Sequence, residues 1–303
     1  MNKFVGQRLQ QQEQVNAYFQ SQSLYWKDIY TANDVYAEIH RDRYRVVLDW
    51  IDSLALAPGS QVLEIGCGAG FMAIALAQRG FRVHAIDSTD AMIEQARQHA
   101  EQVGVTNLLS LSIGDTSALT FKDESFDLVL AIGVIPWIEQ AELAMQEMAR
   151  VTRSGGYVLL TADNQVRLNN LLDPWLNPLL PPLKWRVKKV LDRVGLRRQS
   201  LQDVGATAHS RRFIDKALAR AELRKMRSLT LGFGPFSLFR CTVLPAPLGI
   251  ALHHRLQRLA DRNVPLFRST GAQYLVLSKK SGTISLVQSA STKKSMSAST
   301  LAL

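Results

Sequence analysis

Residues 61–70, QVLEIGCGAG, constrain this chain more than any other stretch. An apolar run through Val62, Leu63 and Ile65 leads into Gly66, Gly68 and Gly70, the pattern of a buried strand turning tightly into a helix. Glycines at such a turn let the backbone approach a ligand with no Cβ in the way, and the first N–H groups of the next helix point at it. The turn therefore predicts a nucleotide-like ligand. The dinucleotide fingerprint G-x-G-x-x-G would need a glycine at position 71, where the chain has Phe71. The pattern is E-x-G-x-G-x-G instead, beginning at Glu64.

Three further segments follow in order: RVHAID (residues 82–87), SIGDT (112–116) and SFDLVLAIGV (125–134), the last followed after a helix by VTRSGGYVLL (151–160). Together with the glycine turn they resemble the class I S-adenosylmethionine-dependent methyltransferases. The resemblance extends to the small-molecule enzymes of the quinone and magnesium-protoporphyrin pathways through WKDIY (26–30). It implies a doubly wound, mostly parallel seven-stranded α/β sheet of Rossmann-like form, and S-adenosyl-L-methionine as cofactor. Glu64, Gly66, Cys67, Gly68 and Gly70 would form the turn around the cofactor, and Asp87, Ser88 and Met92 the ribose side. Gly114, Asp115 and Thr116 would flank the adenine, with Asp115 at its amino group, and Ile132 and Gly133 would complete the site. A doubly wound sheet binding another nucleotide is the competing interpretation.

Strands over 61–66, 82–87, 107–113, 126–132 and 156–162 alternate with helices over 69–79, 90–103 and 139–152 and a short helix near Ser117. Alternation with fully apolar strands predicts a parallel sheet covered on both faces, with ligands beyond the strands' carboxyl ends. Residues 1–57 read as an N-terminal lid segment, its first 20 residues a frayed helix or tail and its part from Val35 helical, and residues 58–163 as the cofactor-binding core. Residues 164–205, rich in Leu, Trp, Pro and basic side chains, read as a helical cap insertion over the acceptor. Residues 206–280 supply a helix over 209–223 and the last two strands, 226–231 and 272–278, separated by a loop and one helix. The seventh strand is expected to enter antiparallel between the fifth and sixth. Residues 281–303, rich in Ser and Thr, read as disordered.

The formal charge of +10 is local: residues 184–227 hold fourteen Lys and Arg against four acidic residues. Such a belt suits an anionic membrane surface, and it also keeps open an RNA methyltransferase; the absence of a separate RNA-binding module disfavours nucleic acid. A non-catalytic cofactor-binding partner protein is a third alternative. Two cysteines, Cys67 and Cys241, read as buried thiols of a reducing compartment, and the first residues lack a signal-peptide pattern, so a cytoplasmic protein, peripheral to a membrane, is expected. No cluster has metal-ligand spacing. Methyl transfer needs a base only for a protonated acceptor, and where relatives place a histidine after the fourth strand this chain has Pro136-Trp137. Tyr30, His40, Trp137 and Asp163 are the catalytic candidates, Tyr30 as a lid residue with His40 and Arg43 behind it. The leading expectation is methyl transfer to an amphipathic small molecule; its identity, the acceptor atom and the oligomeric state are not encoded in any motif.

Overall fold

The computed structural model describes residues 2–116, 118–174, 176–177, 206–239 and 241–282. Helices α1 (Asn2–Ser21), α2 (Ser23–Asp28) and α3 (Val35–Asp52) precede the sheet. Strands β1 (Gln61–Ile65), β2 (Arg82–Asp87), β3 (Leu109–Ile113), β4 (Phe126–Ala131) and β5 (Thr152–Asp163) alternate with α4 (Phe71–Gln78), α5 (Asp90–Val103) and α6 (Ala141–Val151). Next come α7 (Leu168–Leu172), α8 (Arg211–Arg220), β6 (Leu223–Leu231), the short pair β7 (Ser237–Leu238) and β8 (Cys241–Thr242), α9 (Ala246–Asp261) and β9 (Gln273–Lys280).

The seven-stranded sheet runs β3-β2-β1-β4-β5-β9-β6, parallel from β3 to β5. As expected, the last strand enters antiparallel between the fifth and sixth. Side-chain alternation divides the core between two layers. Leu63, Ile65, Val129, Val158 and Val276 pack with Met145 and Met148 of α6 and with Ile214 and Leu218 of α8. Val62, Leu128, Leu130, Leu159 and Leu275 pack on the opposite face with Val47 and Ile51 of α3 and the apolar α4. Parallel strands buried on both faces have no polar side to show, which is why these read as continuous apolar runs.

Several expectations are corrected. Strand β5 starts four residues early, running through the Gly155 turn, whereas α4 keeps within its expected span, capped by Gly70 with φ +83°. Residues 2–21 are one continuous helix, with Val15 buried at 3% exposure. The connection after β6 holds the β7–β8 hairpin as well as α9, and this hairpin exposes Cys241, which therefore is not a buried thiol. His253, on a helix expected to lie at the surface, is fully buried. Most of the expected cap (178–205), the expected tail from 283 and Ser117 lie outside the described residues.

Candidate functional site

A cavity of about 920 Å³ opens beyond the carboxyl ends of β1, β2 and β4, at the upper end of the usual small-molecule range of roughly 300–1,000 Å³. Its floor is the glycine turn. The Gly66 and Cys67 N–H groups both donate to the Ile86 carbonyl, at 2.7 and 3.0 Å, tying the turn to β2. Gly68 has φ +53°, and a Cβ built on it meets nothing within 4 Å, so its bare face is turned to open space. Its N–H donates to Asp87 Oδ2 at 2.9 Å. Asp87 Oδ1 accepts from the Thr89 N–H at 3.1 Å and its hydroxyl at 3.0 Å. Burial raises the Asp87 carboxyl above its ordinary range against the pull of these hydrogen bonds.

Of the thirteen positions expected around the cofactor, all but Gly70 line this cavity. Gly70 is needed for another reason: besides its left-handed φ, a Cβ there would lie 2.8 Å from that of Ala96 on α5. Glu64 is wholly buried beneath the turn. Burial first, then the neighbouring Asp87, pushes its carboxyl up to about 8, and its Oε2 has no hydrogen-bond partner.

Beyond the positions expected around the cofactor, the same cavity is lined by Tyr30, His40, Trp137 and Asp163, and this remaining part is called its second chamber. They differ in availability. Tyr30 stands edge-on to Tyr44 and Phe71, with ring centroids 5.6 and 5.0 Å away. Trp137, expected to face an acceptor or pack under α6, is stacked on Tyr18 of α1 at 5.9 Å and edge-on to Phe19 at 5.0 Å. Asp163 is paired with Arg167 at 3.2 Å.

His40 is different. Its Nδ1 lies 2.8 Å from the Tyr36 carbonyl, which can only accept, so Nδ1 carries the proton and Nε2 is a bare acceptor. Burial, then Arg43, lowers its pKa to about 3, so the ring stays neutral. Arg43 is itself 7% exposed, with Nε buried and unpartnered and a single 3.5 Å contact from Nη1 to Gln273 Oε1. Gly133, with φ +79°, makes room for it: a Cβ there would sit 3.1 Å from Arg43 Nη1.

Sequence reasoning missed the parts of the wall supplied by Gln12, Asn16 and Phe19 of α1 and by Pro235, Ser237 and Thr242 around the hairpin. The Tyr18–Phe19 pair in an otherwise Gln-rich stretch was the one signal for α1. His253 belongs to a separate cluster: its Nδ1 accepts from the Phe233 N–H at 3.1 Å, so Nε2–H must donate to Asp42 at 3.0 Å. Both ring nitrogens are thereby used, and although Asp42, His253 and His254 lie close enough for a shared ion, His253 has no lone pair left to give one.

Residues 63–160 match the family model described as a methyltransferase domain. A ubiquinone biosynthesis O-methyltransferase of Paracidovorax citrulli is 30% identical over 39% of this chain and 50% of its own length. A phosphatidylethanolamine N-methyltransferase of Cereibacter sphaeroides is 36% identical over 34% of the chain and 51% of its own length. The chain thus spans about half the length of these curated relatives. The magnesium protoporphyrin IX methyltransferase of Synechocystis PCC 6803, solved with SAH, superposes with a TM-score of 0.60, covering 89% of this chain and 100% of its own at 18% identity. The [4+2]-cyclase SpnF gives 0.56, covering 88% of this chain and 95% of its own at 13% identity. Sequence motifs, strand order and family match converge: residues 63–160 are a methyltransferase domain of the class I, S-adenosylmethionine-dependent family.

Proposed function

We propose that the protein transfers a methyl group from S-adenosyl-L-methionine to an amphipathic small molecule. The observation that carries this is the continuity of one cavity, from the bare Gly68 face and the Asp87 carboxylate to an aromatic second chamber. The polar groups of the first chamber fit the cofactor. Asp87 offers carboxylate lone pairs for ribose hydroxyls, Asp115 stands where the adenine is expected, and Arg43 and Glu64, each with one buried polar atom lacking a partner, suit the charged ends of an amino acid. When bound, the cofactor supplies an electrophilic methyl on a good leaving group. The chain's own residues then need only exclude water, align the acceptor and, for a protonated acceptor, take up its proton.

His40 is our choice among the four candidates for that last role, because its neutral ring leaves Nε2 a bare nitrogen acceptor among the lining residues; burial and Arg43, which hold its pKa at about 3, require it to pass the proton on to solvent as the methyl group moves. Phe19, Trp26, Tyr36 and Trp137 give the chamber the apolar area an amphipathic acceptor requires, and Asn170 and Arg167 give it a polar end. The similar proteins include a methyltransferase of ubiquinone biosynthesis and one of phosphatidylethanolamine, which agrees with such acceptors. The cyclase among the similar structures makes a direct test necessary, because one fold carries more than one reaction. We place the protein in the cytoplasm, peripheral to a membrane; no helix among the described residues is long and apolar enough to cross one.

The test is to incubate the protein with methyl-tritiated S-adenosylmethionine and either a lipid extract or unfractionated RNA. Label passing into the lipid extract is expected, and His40→Gln should lower turnover about a hundredfold or more while leaving cofactor affinity unchanged. Label in RNA alone would establish the nucleic-acid alternative, and cofactor binding without any transfer would establish a non-catalytic partner.

A further inference from the structure

The β7–β8 hairpin is small but firmly built. Its ladder pairs Ser237 with Thr242 and Leu238 with Cys241. Beneath it lies Asp173, fully buried at the end of α7, whose Oδ2 accepts from the Ser237 hydroxyl at 2.7 Å and whose Oδ1 accepts from the Phe239 N–H at 3.1 Å. Committing a buried carboxylate in this way fixes the turn, yet the turn directs its large side chains into water. Leu238 is 45% and Phe239 44% exposed, and Val243 and Leu248 just beyond are 53% and 61% exposed. Leu172, beside Asp173 on α7, is 59% exposed. Single exposed apolar residues need no explanation, but five gathered on neighbouring short segments mark an interaction surface.

A second observation says what that surface meets. On α9 the exposed positions Leu248, Ala251, Arg255 and Arg258 follow at intervals of three or four residues and run into Arg262 at the helix end, forming one outward stripe. The stripe is apolar next to the hairpin and basic at its far end. None of the three arginines has an acidic partner among the described residues. An apolar edge continuous with unpaired arginines matches a bilayer, where acyl chains lie beneath phosphates. A second copy of the chain would set these arginines against one another or against leucines. Finally, Pro235, Ser237 and Thr242 line the cavity, so the hairpin stands at the acceptor end of the site.

We propose that the hairpin and the outer face of α9 dock on an anionic lipid surface. Leu238, Phe239, Val243 and Leu248 enter the headgroup layer, and Arg255, Arg258 and Arg262 meet lipid phosphates. The acceptor end of the cavity then opens towards the bilayer. The purpose given to this contact, but not the contact itself, rests on the methyl-transfer reading above.

Flotation of the full chain with phosphatidylcholine vesicles, with and without phosphatidylglycerol, tests it. Binding should require phosphatidylglycerol and weaken with salt. The pairs Leu238→Asp with Phe239→Asp, and Arg255→Glu with Arg258→Glu, should each weaken it about tenfold or more, with melting behaviour and S-adenosylmethionine affinity as in the parent. No flotation of the parent with either vesicle overturns the proposal. Flotation unchanged in both variants overturns this surface as the contact, and a dimer abolished by the Leu238→Asp, Phe239→Asp pair assigns the face to a second copy instead. A parent that floats but does not bind S-adenosylmethionine sinks the methyl-transfer reading and leaves the docking surface standing.

Discussion

Asp87 holds the Gly68 N–H with one oxygen and Thr89 with the other, so it shapes the glycine turn as well as facing the cavity. Replacing it with alanine should weaken S-adenosylmethionine binding about ten- to a hundredfold by calorimetry, roughly the 1.5–3 kcal/mol of a hydrogen bond to a charged group; unchanged affinity would remove its assignment. Gly68→Val should abolish binding twice over, through its φ of +53° and by filling the open space the ligand needs. Glu64 makes a prediction about pH. Its carboxyl is raised to about 8, so between about pH 4.5 and 8 the unfolded chain has released a proton that the folded chain keeps. The cofactor-free protein should therefore lose stability as pH rises through that window, and Glu64→Gln should flatten the decline in urea melts. Equal slopes in parent and variant would show that Glu64 is already ionised when folded.

At the level of elements, α1 and the hairpin matter most, because both wall the second chamber. Trp137→Ala should open the gap between α1 and the turn after β4, impairing acceptor turnover while cofactor affinity is retained; equal loss of both would make Trp137 a folding residue. Asp173→Ala should destabilise the hairpin by about 1–3 kcal/mol, the cost of unpairing buried donors, read as faster amide exchange at Phe239. These two elements were also the least legible in the sequence. The strands β1 and β4, buried on both faces, announce themselves as apolar runs, and α5 ends where Gly104 takes φ +77°. Helix α1 has no such signature: its Gln-rich sequence carries little periodicity, and it is held by Tyr18 and Phe19 meeting a tryptophan about 120 residues away. The hairpin's strands are two residues each, too short for alternation to register, and its anchor Asp173 comes from another element. The burial of His253 likewise depends on Asp42 and Phe233, which no local pattern connects to it. Cofactor-side residues were readable because one turn and three strand ends carry them; the second chamber is assembled from pieces far apart in the chain.

For the molecule as a whole, a ligand in the shared cavity ties α1, α3, the glycine turn and β9 together, since all four contribute lining residues. S-adenosylmethionine at about a hundred times its dissociation constant should add about 2.7 kcal/mol and raise the melting midpoint by roughly 5 °C; no shift at saturation would count against cofactor binding. The position of β9 has a consequence for how the chain comes to be folded during its synthesis. Residues 273–280 are the last of the described strands to leave the ribosome, yet they fill the slot between β5 and β6 and bring Gln273 to the cavity wall beside Arg43. Until they arrive, both flanking strands present unpaired edges, each a template for another nascent chain. The chain can therefore have a formed glycine turn before its last described strand is made, but its second chamber closes only once residues 273–280 have emerged, and a chain halted before residue 273 should be captured by chaperones or aggregate rather than persist as a smaller working domain.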